Sequence, residues 1–425
     1  MRKLFLIVFP FLLEVTAYSQ SPGSLDLTFG GIGYVTTSVT KGNNYGQSVS
    51  VQPDGKIVVA GYSAENSDYD FALVRYNTNG QLDSSFGTEG KVITSVGKSN
   101  DQAYIVLVQP DGKIIATGFT TASFGSHDFA LVRYNINGTF DSTFGKNGLV
   151  ISYIRSFDDE IYTATLQPDG KIIVGGCSYD SLNADFVIAR YNTDGTFDST
   201  FGKNGVIITP VGLSDDKVFA LAQQNDGKII AAGNTVNGSY TYFAIVRYNA
   251  DGTTDNSFGK NGISVTPFGK GYNYANSLSI QTDGKIVIAG YSYNESNDDF
   301  LIARYNTEGI LDNSFGKEGI VITDIGGFND AIEAVVIQSD GKIVVAGYSA
   351  NNTYIDFAVA RYNINGVIDH SFGNNGIVLT PVGSTYDYAH AVSIQTDGKI
   401  IVAGFSKNDS DNFDFAVARY IGTLK

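Results

Sequence analysis

Apolar positions in this chain fall into short blocks of four to eight residues, each cut off by a turn signal, and the blocks recur in groups of four. The first block of a group, such as Ser48 to Gln52 or Leu278 to Gln281, alternates apolar with small or polar residues and ends at Asp-Gly. The second, Lys56 to Tyr62, is a Val/Ile-rich run closing in Ala-Gly-aromatic. The third, Phe71 to Asn77, reads Phe-Ala-Leu-Val-Arg-Tyr-Asn, and the fourth, Lys91 to Val96, reads Lys-Val-Ile-Thr-Ser-Val. Short runs rich in β-branched and aromatic residues are strand chemistry. No segment sustains a 3.6-residue period, so no helix is predicted beyond the first 19 residues.

The group of four returns at a fixed interval. Its Asp-Gly-Lys begins at Asp54, Asp111, Asp169, Asp226, Asp283, Asp340 and Asp397, spacings of 57 or 58 residues, which is the signature of a repeat architecture. The first-to-second connection is always Asp-Gly, a tight hairpin signal. The third-to-fourth connection is stereotyped too, as Asn79-Gly80 followed by Leu82 to Gly87 shows. The other two connections vary freely from repeat to repeat. Alternate turns of a meander share an end, so one face is predicted to be scaffold and the other a binding face.

The ends of the chain fix the topology. Leu25 to Ser38 carries a lone fourth block, and the last repeat, Val392 to Tyr420, has three blocks and no fourth. If the N-terminal strand completes the last sheet, a ring closes and no open sheet edge is left. The prediction is an all-β fold: a seven-bladed β-propeller of four-stranded antiparallel blades. An open β-solenoid would leave the split repeat without a purpose.

Composition adds an address and some exclusions. Met1-Arg2-Lys3, the apolar run Leu4 to Leu13 and Ala17-Tyr18-Ser19 read as a signal peptide over residues 1–19, leaving 20–425 as a single propeller. The run is too short for a membrane span, which takes about 20 apolar residues. The expected location is therefore secreted, extracellular or at the cell surface, with the periplasm as an alternative. A net charge of −15 disfavours nucleic acid and anionic membranes as partners. An extracellular glycan, peptide or protein fits better, met by a monomer. Cys177 is the only cysteine, so no internal disulfide forms; it stands where other repeats carry Tyr62 or Phe119 and reads as a substitute for a buried aromatic.

The composite motif Gln52 to Tyr62 (QPDGKIVVAGY), Asp70 to Asn77 (DFALVRYN) and Leu82 to Gly87 (LDSSFG), returning through Tyr420, resembles the bacterial delta-60 repeat family. That resemblance implies a β-propeller on exported or surface proteins. It implies no established activity and no catalytic residues.

Two sets of residues are candidates for chemistry. Asn44, Asp101, Asp159, Asp216, Asn273, Asp330 and Asp387 each precede the Asp of Asp-Gly-Lys by ten residues. On an innermost strand they would ring the channel mouth and suit Ca²⁺, a cation that takes oxygen ligands, although no cofactor is required. The simpler reading is that each caps its own loop. Three positions further on, the residue varies among the repeats: Gln47, Tyr104, Tyr162, Phe219, Asn276, Glu333 and His390. Such a slot turns a symmetric scaffold into an asymmetric ligand-binding pocket, with aromatic rings suited to a neutral sugar or peptide. Relaxed packing around a water-filled channel would look the same.

Acidic loops at Asn294 to Asp299 and Asp409 to Asp414 read as solvated rather than chelating. Arg75 and its six equivalents are expected to form structural ion pairs, with the strand-leading Asp70 and its equivalents as candidate partners. His127, His370 and His390 share no metal spacing, and no nucleophile elbow or phosphate loop is present. The leading expectation is a non-catalytic binding module. The alternatives are a carbohydrate-active lyase or hydrolase with its site at the channel mouth, and a structural envelope or matrix protein. Ile154-Arg155, replacing the usual Val-Gly, is the one irregularity an enzyme reading could use.

Overall fold

The computed structural model describes residues 20–65, 68–122, 125–268 and 271–423; the signal peptide expected at 1–19 lies outside them. The described residues form seven four-stranded antiparallel sheets and no helix. None of them therefore belongs to a helix long and apolar enough to cross a membrane. In blade 1 the chain runs from an inner strand, Asn44–Val51, through Ile57–Glu65 and Asp68–Tyr76 to an outer strand, Lys91–Thr94. Blades 2 to 6 repeat this order, their inner strands beginning at Asp101, Asp159, Asp216, Asn273 and Asp330. Blade 7 has inner, second and third strands Asp387–Ile394, Ile400–Lys407 and Phe413–Tyr420. Its outer strand is Tyr34–Thr37, in register Tyr34 to Ala418 and Thr37 to Phe415. The split repeat closes the ring of a seven-bladed β-propeller.

The second and third strands read as unbroken apolar runs because both of their faces are covered. Ile57 to Ala60 and Phe71 to Val74 are all fully buried. One face of blade 1 packs Val58, Ala60, Phe71 and Leu73 against Ala103, Ile114, Ala116 and Val132 of blade 2. Each Val or Leu so buried contributes roughly 1.5–3 kcal/mol. With no disulfide available, this inter-blade packing is what holds the ring.

On the scaffold face one arginine per blade staples its neighbour. Arg75 pairs with Asp83 at 2.7 Å, lies over the Phe86 ring at 4.5 Å, and donates through Nη1 to the Ile136 carbonyl of blade 2 at 2.5 Å. Lys56 joins Asp83 at 2.9 Å. Burial opposes ionisation of Asp83, but the Ser85 hydroxyl, Lys56 and Arg75 outweigh it and hold the carboxyl below its usual range. The arginine's partner is thus the turn aspartate, not Asp70. Five residues along an extended strand put Asp70 and Arg75 on opposite faces, on the order of 16 Å apart.

The inner strands begin four residues earlier than the alternation suggested, at Asn44 rather than Ser48. The cause is a β-bulge. Pairing runs Gly46 to Gly61 and then Ser48 to Ala60, leaving Gln47 unpaired. The Gly of the Ala-Gly-aromatic motif makes room for this kink: a Cβ on Gly61 would lie 1.8 Å from the Tyr45 carbonyl oxygen.

Candidate functional site

The same bulge occurs in every inner strand, and it decides which side chains reach the axis. The residues it leaves unpaired are Gln47, Tyr104, Tyr162, Phe219, Asn276, Glu333 and His390. These are the members of the variable slot. A bulge re-aims its extra residue, here into the lumen. All seven line one central cavity of about 420 Å³. A depression of about 530 Å³ at the outer rim is lined by Gly316, Lys317, Glu318 and Ile320 to Ile322, residues of the repeated scaffold turn and outer strand. The channel is the better candidate, because its lining differs in every blade.

The cavity has two unlike walls. Tyr104 meets Tyr162 at a ring-centroid distance of 5.6 Å, and Tyr162 stacks on Phe219 at 5.0 Å, making an aromatic wall from blades 2 to 4. Opposite, Asn276 Nδ2 donates to Glu333 Oε2 at 3.2 Å and to the Ile332 carbonyl at 3.0 Å. His390 stacks on Phe405 at 5.1 Å. Burial pushes the Glu333 carboxyl up to about 8 and the His390 imidazole down to about 4. Near pH 7 both groups are therefore largely uncharged, and the lumen offers hydrogen bonds with little net charge.

The seven residues expected to ring the mouth lie elsewhere. Each is the first residue of its inner strand, at most 1% exposed, and none is among those lining the cavity. Asp101 Oδ2 accepts from the amides of Val96 and Gly97 at 2.6 and 2.9 Å, while Oδ1 accepts from Thr120 Oγ1 at 2.5 Å. Asp159, Asp216 and Asp387 accept from loop amides in the same way, Asp330 accepts from Ile325 N, and Asn44 accepts from Thr40 N at 2.9 Å. Asn273 accepts from Ser292 and donates to the Thr241 carbonyl. Strand alternation explains the displacement: a residue three positions from the bulge does not share its direction. Burial pushes the carboxyls of Asp101, Asp159 and Asp216 up despite these bonds.

A second tier of variable residues escaped the sequence reading. One position after each capping residue stand Tyr45, Gln102, Glu160, Lys217, Tyr274, Ala331 and Tyr388, paired across the strand with Tyr62, Phe119, Cys177, Asn234, Tyr291, Tyr348 and Phe405. Tyr45 and Tyr62 are 5.1 Å apart, and Tyr62 continues to Tyr104 of the cavity wall at 6.3 Å. In blades 3 and 4 the aromatic tier gives way to charge. His127 Nδ1 lies 2.5 Å from Glu160 Oε1, and the Tyr162 hydroxyl donates to Glu160 Oε2. The Glu160 hydrogen bond raises the His127 pKa. Burial opposes ionisation of Glu160, but His127 and Tyr162 hold it below its usual range. Cys177 is buried 3.9 Å from Glu160 Oε2, and burial pushes its thiol up to about 12, an unreactive setting. The missed signal was variation itself: this slot changes as freely as the one two residues later.

Of the acidic loops, Asp414 accepts from Ser38, Asn44 and Asn408, and Asp411 pairs with Lys407 at 2.9 Å. In the other, Asn294 and Asn297 donate to Asp299. Asp299, together with Asp324 and Asp330, forms the one group of three metal-ligating side chains within 4.8 Å of one another found among the described residues.

Seven blades of one repeat, closed on themselves around a channel lined by one variable residue each, define a repeat-built β-propeller. The chain belongs to the family described as domain of unknown function (DUF5122) beta-propeller, whose model matches residues 52–86, 109–144, 167–201, 224–258, 281–315, 338–372 and 395–420. No curated protein matches the sequence. Among solved structures the chain is similar to a catalytically inactive virginiamycin B lyase from Staphylococcus aureus with quinupristin, at 12% identity and TM-score 0.51 over 91% of this chain and 98% of that one. It is also similar to a protein of unknown function from Dyadobacter fermentans (13%, TM-score 0.48, 92% and 98%) and to the polysaccharide lyase Uly1 (12%, TM-score 0.49, 91% of each chain). At these identities the likeness is one of fold.

Proposed function

We propose that the protein is an exported, non-catalytic binding module that takes an uncharged glycan or peptide segment into its channel from the variable-loop face. One observation carries this reading. Seven bulge residues of six kinds, one from each blade, converge on a single cavity, and its carboxyl and imidazole members, Glu333 and His390, are held largely uncharged near pH 7. A charged ligand would meet no opposite charge there, whereas sugar faces and peptide side chains stack well on Tyr104, Tyr162 and Phe219. The leader at residues 1–19 and the resemblance to delta-60 repeats support export.

A second reading, a lyase or hydrolase acting on carbohydrate, is favoured by the connected His127–Glu160–Tyr162 chain, which ends at the cavity wall. Neutral oligosaccharides and peptides should be screened for binding by calorimetry and for product by chromatography. The binding reading expects saturable affinity, no product, and at least tenfold weaker binding, about 1.4 kcal/mol, for Tyr162→Ala. Product that disappears in Tyr162→Phe would replace it with the enzyme.

A further inference from the structure

At each blade junction three positions meet on the variable face: a third-strand residue of one blade, a residue of the loop leaving its outer strand, and the capping residue of the next blade. Between blades 7 and 1 these are Asp414, Ser38 and Asn44, and donors match the acceptor. Ser38 Oγ donates to Asp414 Oδ1 at 2.5 Å, and Asn44 Nδ2 donates to it at 3.2 Å. Between blades 3 and 4 they are Asp185, Pro210 and Asp216, and Arg155 supplies a cation to Asp185 at 2.7 Å.

Between blades 5 and 6 all three are carboxylates. Asp299, Asp324 and Asp330 bring oxygens within 4.8 Å of one another. No other junction has an acid at the loop position, which elsewhere is Ser38, Ser95, Tyr153, Pro210, Pro267 or Pro381. No ion pair among the described residues reaches any of the three. Asp299 and Asp330 are 5% and 0% exposed, so water compensates little of their charge. A separate observation points to a missing partner. Ser349 stands opposite Asp330 in the strand register and favours its ionised form, and Oδ2 accepts from Ile325 N at 2.8 Å, yet no donor lies within hydrogen-bond distance of the buried Oδ1, where Asp101 and Asp159 accept from Thr120 and Ser178. Asp216 Oδ1 is unpaired as well, but its neighbour Asp185 is neutralised by Arg155.

We propose that Asp299, Asp324 and Asp330 hold a hard divalent cation of the calcium class at the junction of blades 5 and 6. Three carboxylates at such spacing repel strongly in a partly dry site unless a cation lies between them, and oxygen donors select Ca²⁺ over softer metals. Water and loop carbonyls would complete its six to eight ligands. Asp324 belongs to a variable loop, so the ion would pin that loop to both blades. The proposal stands apart from the channel reading, since none of the three lines the cavity.

The test is calorimetric titration of chelator-treated full-length protein with calcium chloride, alongside melting curves. One saturable site per chain and a melting temperature that climbs with calcium are expected. Asp324→Ser, which installs the residue found at Ser38 and Ser95, should weaken binding at least a hundredfold while melting no lower in chelator. Asp330→Asn, which copies Asn44 and Asn273, should do the same and serves if the first variant misfolds. Absence of calcium binding to the unmodified protein would overturn the proposal. So would binding that survives in a folded Asp324→Ser or Asp330→Asn variant, which would move the ion to another acidic loop.

Discussion

Arg419 Nη1 donates to the carbonyl oxygen of Thr78 at 2.5 Å, joining the last blade to the first across 341 residues of chain. The same guanidinium lies over the Phe29 ring at 4.8 Å and pairs with Asp26 at 2.8 Å, so it ties the N-terminal segment into the seam as well.

Arg419→Ala should therefore cost about 3 kcal/mol, the low end for breaking a buried pair, because Lys399 stays 3.0 Å from Asp26 and still compensates it. Urea denaturation measures the loss. Limited proteolysis should then cut within residues 20–40 before any other segment. A variant within about 0.5 kcal/mol of the parent would mean that packing alone closes the ring.

Glu333 and His390 should give the protein opposite pH slopes. Between about 4.5 and 8 the folded chain keeps a proton on Glu333 that the unfolded chain has released, so this group's contribution falls as pH rises through that window. Between about 6.5 and 4 the unfolded chain protonates His390 while the folded chain does not, so stability falls as pH drops. Asp330, pushed up to about 6 by burial and by Asp324 and Asp299, slopes the same way as Glu333. Comparison of Glu333→Gln with the parent cancels that background. The Gln variant should lose the decline toward pH 8, and His390→Gln the decline toward pH 4, in melting temperatures recorded from pH 4 to 9. Unchanged slopes would show that lumen water solvates both groups.

Gly61→Ala should be more damaging than a methyl group suggests. The new Cβ would meet the Tyr45 carbonyl at 1.8 Å, and backbone cannot give way as a side chain can. A loss of about 1–3 kcal/mol is expected, with weaker ligand binding because the neighbouring bulge must shift. Gly238, whose Cβ would meet nothing within 4 Å but whose φ is 64°, provides the contrasting control for backbone conformation alone.

Much of this architecture was written in periodicity. The 57-residue interval, the paired stereotyped turns and the displaced block at Leu25 to Ser38 required a closed ring of seven, and the slot from Gln47 to His390 showed itself by varying. What the pattern hid was direction. The bulge after Gly46 breaks the two-residue alternation at the point where it matters, so Asn44 and Asp101 were expected over the channel when they are turned under their loops. The tier from Tyr45 to Tyr388 lay in front of the apparent strand start and read as loop. Asp324 was invisible for another reason: a lone acid in a variable loop acquires meaning only once folding brings Asp299 and Asp330 beside it.

The seam in blade 7 also sets a timetable. Ser38 finds its partner Asp414 only after 376 further residues have been made. At 5–20 residues per second that is a wait of roughly 20 to 75 s. Throughout it the strand Tyr34–Thr37 has no sheet to join. Blades 1 to 6 are each one continuous stretch of chain, but the ring cannot close until the last strand has been made.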